Sequence, residues 1–280
     1  MALELVFFGL STALAVCALW TVAALSHLAR RSNADSSERV AFWLVVAPVA
    51  AAGFVLAFFA GWAAQEPDPS DEWLKVGLWC LSALTVLASA RAALRAIRAL
   101  RIPPGLPIGT VGLLSPRIVV SPDFEAATDE AGLRAALAHE AAHRRHRDPL
   151  RIWLVALATD LQWPLPGARA RFDSWLVALE VERDEEALAA GADRGALAGA
   201  ILAAAKLAGR GARGAAVASA GAEPGVAVRV RRLLRGERSA PRPTSRRWSV
   251  VFLCTGALAM AWLGHGWGDA LLAVLPGIGR

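Results

Sequence analysis

Residues 40–64 form an uninterrupted apolar run, and three similar runs lie at 5–28, 73–90 and 248–264. A helix needs about 20 apolar residues to cross a bilayer, so the chain is constrained first of all by where these runs can be placed. Apolar residues make up 56% of the 280 and charged residues 19%, against about 45–50% and about 25% in soluble globular domains. That balance excludes an ordinary soluble domain. It also excludes disorder, which requires low hydrophobicity. Pro48 sits inside the second run and Lys75 near the start of the third. The first run is not read as a cleaved signal, because residues 1–10 carry one charge, Glu4, and no basic segment. The expectation is a mainly α membrane protein with about four transmembrane helices, one of them retained at the N-terminus.

The formal net charge is +6, carried almost wholly by arginine, since Lys75 and Lys206 are the two lysines. Basic residues in short loops mark the cytoplasmic side. Arg30, Arg31 and Arg39 follow the first run, and Glu66, Asp68, Asp71 and Glu72 follow the second without a base. Arg91, Arg95, Arg98 and Arg101 follow the third. All three loops then agree on an N-terminus outside and residues 91–247 in the cytoplasm of a multi-pass plasma-membrane protein. Residues 206–247 carry 11 basic and two acidic side chains. This is read as a basic juxtamembrane segment drawn to anionic lipid, and no direct nucleic-acid binding is expected. Cys17, Cys80 and Cys254 lie in apolar runs, at spacings that match no zinc or redox motif.

The expected division is three spans with an Arg-rich helical extension at 1–101, a cytoplasmic domain at 102–205, the basic segment at 206–247, and the fourth span with a short tail at 248–280. Pro103, Pro104, Gly105 and Pro107 break the helix leaving the third span. Residues 108–121 read as a hairpin whose clearest strand is 117–121. Thr128, Asp129 and Glu130 open a helix that runs to about Arg147 and stops at Asp148-Pro149. Residues 149–163 form either a core helix or one at the membrane interface, with Trp153 and Trp163 as anchors. A further helix at 168–190 is closed by Gly191.

Inside the first of these helices stands His139-Glu140-Ala-Ala-His143. Two histidines four residues apart share a helix face, so both imidazoles can reach one zinc ion. The glutamate between them is the general base of such sites. A catalytic zinc takes three protein ligands and keeps one position open. A third histidine six residues after the second is excluded, because Pro149 stands there. His146 lies one turn too far along. The remaining candidates are Glu180, Glu182, Glu185 and Glu186, of which Glu180 and Glu186 lie equally close to the apolar face of their helix; the helical geometry leaves that choice open.

Several segments together resemble the BlaR/MecR-type membrane metallopeptidases: Gly112-Leu-Leu-Ser-Pro-Arg-Ile-Val-Val-Ser121, Leu137-Ala-His-Glu-Ala-Ala-His143, Arg147-Asp-Pro149 and Glu180-Val-Glu-Arg-Asp184. The last is also similar to the helix of HtpX/Ste-type proteases. The resemblance covers roughly residues 105–190 and implies a gluzincin-like domain, mostly helical with a small β-hairpin, between the third and fourth spans. It implies one Zn²⁺ per chain on His139, His143 and Glu180, with Asp184 hydrogen-bonding a ligand histidine. It further implies a cytoplasmic protein substrate, a repressor of the BlaI/MecI kind. A penicillin-binding site needs Ser-x-x-Lys, whereas Glu72 and Ala203 stand three residues before the two lysines; a separate sensor protein is therefore expected. The strand at Ile118, Val119 and Val120 is placed to pair with an extended substrate. An HtpX-like quality-control protease would use the same residues. A non-catalytic scaffold with a zinc site is the third reading, against which the intact Glu140 argues.

Overall fold

A computed structural model describes residues 14–26, 29, 37–63, 90, 94, 105–162, 167–211, 222–236 and 255–263. These residues are mainly helical. Helix α1 is Leu14–Ser26 and α2 is Glu38–Ala63. The strands β1 (Ile108–Val111) and β2 (Arg117–Val120) follow. Next come α3 (Pro122–Ala127), α4 (Glu130–His146), α5 (Asp148–Leu161), α6 (Ala168–Ala189), α7 (Arg194–Gly211) and α8 (Ala222–Arg235). A last described helix, α9, covers 255–263. Among the described residues one stretch, Glu38–Phe58 of α2, is long and apolar enough to cross a membrane, and α1 is a shorter apolar helix. The run at 73–89 lies outside the described residues, and α9 is the described part of the run at 248–264.

The strands pair antiparallel, with Ile108 opposite Val120 and Thr110 opposite Ile118. Gly112 turns the hairpin at φ 101°. A Cβ there would stand 2.8 Å from the Ser115 carbonyl oxygen, so only glycine fits the turn. In α4, the Asp129 carboxylate accepts from the Gly132 N–H at 2.8 Å and satisfies one of the free donors of the first turn. The helix ends at Arg147, whose φ of 52° is left-handed. With Pro149 in its first turn, α5 begins at once, so α4 and α5 meet through a one-residue corner.

Three clusters build the core. Ala41 and Val45 of α2 pack with Val155 and Ala156 of α5 and with Phe172, Trp175 and Leu179 of α6. Helix α5 thus packs one face on α2 and α6 while Leu154 and Leu161 stay exposed; Trp163 lies outside the described residues. Ala135, Ala187, Leu197, Ile201 and Leu233 join α4, α6, α7 and α8. Phe124, Ala136 and Ala200 close the floor beneath Ile108 and Val120 of the hairpin. The division expected at 205 falls inside α7. The segment expected to be a basic lipid flank contributes α8, whose Leu233 is buried against the domain.

Candidate metal centre

His139 and His143 stand one turn apart on α4, with their Nε2 atoms 3.0 Å from each other. Glu180 of α6 completes a triangle: its Oε2 lies 3.3 Å from His139 Nε2 and its Oε1 lies 3.6 Å from His143 Nε2. One ligand atom from each residue falls within 4.8 Å of the others. With zinc–nitrogen and zinc–oxygen bonds of about 2.0–2.2 Å, tetrahedral ligand atoms stand about 3.3 Å apart. The three separations bracket that value, and two imidazoles with one carboxylate are a donor set suited to zinc. The residues present therefore fit the ion.

Each histidine is held from behind by a carboxylate, which leaves its Nε2 facing the common point. His143 Nδ1 lies 3.0 Å from Asp148 Oδ2. His139 Nδ1 lies 3.0 Å from Asp184 Oδ1, off the line of a good hydrogen bond. Asp148 is fully buried. Its Oδ1 accepts from Arg151 Nη1 at 2.8 Å and from Arg183 Nη2 at 3.2 Å, while Arg183 Nε donates to Oδ2. Burial alone would push its carboxyl up; the bonds from His143 and Arg183 and the Arg183 charge outweigh it and hold the group well below the usual carboxylate range.

The same balance acts on the ligands. Burial pulls the His143 imidazolium down, but the Glu180 charge and the bonds to Asp148 and Glu180 raise it to about 10. His139 is also raised, by Asp184 and Glu180 against burial and the Arg229 charge. Burial pushes Glu180 up, yet the charges of Arg229 and His143 hold it well below the usual range.

Glu140 points round the helix from its histidine neighbours. Thr110 Oγ1 of β1 lies 2.7 Å from Glu140 Oε2 and 3.0 Å from the Glu140 carbonyl oxygen. A cleft of about 1330 Å³ is lined by Thr110, Glu140, both histidines, Glu180 and Arg229 among others. Leu106 to Gly109 also line it, so β1 is the strand on the cleft. Ile118, Val119 and Val120 belong to β2 and are not among the residues that line it.

The structure separates the glutamates that the helical geometry left open. Glu180 faces the histidines, whereas Glu186 meets His146 at 2.8 Å, Arg145 at 3.4 Å and Arg183. Asp184 holds His139, and Arg229 of α8 grips Asp184 from the other side. Arg229 Nη1 also reaches Glu180 Oε2 at 2.8 Å. Sequence reasoning missed Asp148, Thr110, Arg151, Arg183 and Arg229. The Asp148-Pro149 pair was visible as a helix stop; the five-residue spacing from His143 was the signal for its second role. In comparisons with family models, with curated proteins and with solved structures, the chain shows no match.

Proposed function

We propose that the chain is a membrane-embedded zinc endopeptidase that cuts a cytoplasmic protein. The observation that carries this reading is the convergence of His139, His143 and Glu180 with Glu140 beside them in one cleft. A scaffold has no use for a carboxylate so placed. Zinc bound there supplies Lewis-acid polarisation of a carbonyl and acidification of water. Glu140 takes the proton from the attacking water and passes it to the leaving amine. Thr110 holds the carboxylate in reach of both. The open edge of β1 offers main-chain donors and acceptors to an extended substrate.

The resemblance to BlaR/MecR-type peptidases supports a repressor of the BlaI/MecI kind as substrate. The arginine bias of the loops supports a plasma-membrane location with the N-terminus outside. The test is proteomics of cells carrying the wild-type protein against Glu140→Gln, with zinc measured in both. The expected result is one zinc per chain in each and a cytoplasmic fragment that depends on Glu140. Reporters at Gly191 and at residue 68 should read cytoplasm and outside, respectively. Normal zinc with an unchanged proteome overturns the reading.

A further inference from the structure

A line of buried polar contacts joins the start of α2 to the metal centre. Glu38, in the first turn of α2, accepts from Trp175 Nε1 at 2.8 Å and from Arg151 Nη2 at 2.5 Å. Arg151 Nη1 donates to Asp148 Oδ1 at 2.8 Å, and Asp148 Oδ2 meets His143 Nδ1 at 3.0 Å. The side chains of Glu38, Arg151, Asp148 and His143 are 10%, 14%, 0% and 9% exposed, so the line is largely shielded from water.

An acidic residue in a first helical turn ordinarily serves the helix that carries it, through the free N–H groups and the dipole. Glu38 instead turns its Oε1 onto two donors from α5 and α6. Arg151 spans two carboxylates with two different nitrogens, as its planar fork allows. It also lies over the Trp175 ring, 5.9 Å from the centroid. The position of the Arg151 guanidinium is thus shared between the membrane helix and the carboxylate that orients a histidine. Arg183 holds Asp148 as well, so loss of Glu38 slackens the grip on His143 without releasing it. The stretch that begins with Glu38 is also the one described stretch long and apolar enough to span a bilayer.

We propose that Glu38 is a positioning residue of the metal centre, acting through Arg151 and Asp148, and that α2 thereby sets the affinity of the centre for zinc. A shift or rotation of α2 in the membrane changes the hold on His143 without touching the cleft. This inference rests on the zinc reading of the site and adds a route by which a membrane event reaches it.

The experiment measures zinc affinity of the full chain in detergent by chelator competition, together with the visible spectrum of the Co²⁺-loaded protein. Outer-sphere partners of zinc ligands are worth about 10–100-fold in affinity. Arg151→Ala is expected to weaken zinc about tenfold and Glu38→Ala at least about threefold, with a changed cobalt spectrum in both. Glu38→Asp withdraws the carboxylate by one methylene and keeps the charge; it covers the case in which the Ala variant does not fold, with about a twofold loss. The double variant Glu38→Ala/Arg151→Ala should bind no more weakly than Arg151→Ala alone, since residues in one line are not additive. Val45→Ala disturbs the packing of α2 against α5 and α6 and should leave zinc affinity and the cobalt spectrum unchanged. Unchanged affinity in both Glu38 variants, a double variant equal to the product of the singles, or an equal loss in Val45→Ala overturns the link while the zinc site stands. A wild-type protein that binds no zinc overturns the metallopeptidase reading itself, and the link with it.

Discussion

Arg229 grips Asp184 with two nitrogens, Nε on Oδ2 at 2.8 Å and Nη2 on Oδ1 at 2.7 Å. The pair joins α8 to the helix that carries Glu180. The charge of Arg229 also raises no obstacle to ionised Asp184: burial pushes that carboxyl up, and the bonds and charge of Arg229 bring it below its ordinary value. Removing one partner of a buried pair leaves an uncompensated charge and costs about 3–5 kcal/mol. Arg229→Ala should therefore lower stability by about 3 kcal/mol in denaturant titrations of the metal-free protein. Arg229→Lys should recover less than half of it, because one ammonium cannot match a two-point contact. A variant as stable as wild type would show that the pair contributes nothing net.

The two histidines set the pH dependence of metal uptake. Zinc takes neutral imidazole, so a raised imidazolium must lose its proton on binding. With His143 raised to about 10, its proton competes with zinc at pH 6–8, and His139 is raised in the same direction. Raising the pH removes the competing proton, so affinity rises with pH. One released proton gives about a tenfold gain per pH unit, and two give more. Zinc titrations at pH 6, 7 and 8 with proton release followed in weak buffer check this; a flat profile would contradict it.

Glu140 and Thr110 separate the reaction from the metal. Glu140→Gln keeps shape and removes the base, so zinc content should stay while cleavage falls by about 10²–10⁴-fold. Thr110→Val removes the hydroxyl that lies 2.7 Å from Oε2. One such bond is worth about 1–1.5 kcal/mol, which is about a tenfold loss of rate. Single-turnover cleavage of a substrate protein measures both, and a Thr110→Val enzyme at full rate would remove that residue from the mechanism.

What could be read in the sequence was local. His139 and His143 sit at helical spacing within one short motif, and a cap at Asp129 and a proline at 149 bound their helices. Glu180 and Glu186 looked alike on a helical wheel because the choice depends on where α6 crosses α4, which no single helix contains. Asp148 looked like a stop because the left-handed residue at Arg147 is not a glycine; that corner is what returns the next carboxylate to His143. Arg229 was hidden among the many arginines of a segment read as a lipid flank, 45 residues from Asp184. The hairpin was legible, but which strand lines the cleft depends on how it lies over α4.

Arg171 offers a test of how the apolar helices are tied to the domain. It is buried on α6 and donates from Nη1 to the Ala23 carbonyl of α1 at 3.2 Å, and from Nη2 to Gln162 Oε1. Gln162 in turn donates from Nε2 to the Val45 carbonyl of α2 at 2.8 Å. Two side chains thus bind the backbones of α1 and α2, a contact that depends on helix position and not on the identity of the residue reached. Arg171→Leu keeps bulk and removes the donors, leaving the Ala23 carbonyl and Gln162 Oε1 without them. Each buried polar group so abandoned costs about 1–3 kcal/mol, so the variant should lose about 3 kcal/mol of stability in detergent. Because the latch lies on the α1 and α2 side of α6, away from Glu180, zinc affinity in the folded fraction should stay within about twofold of wild type. Limited proteolysis between α1 and α2 should become faster. A variant that loses zinc as readily as it loses stability would show that the latch and the metal centre are one cooperative unit.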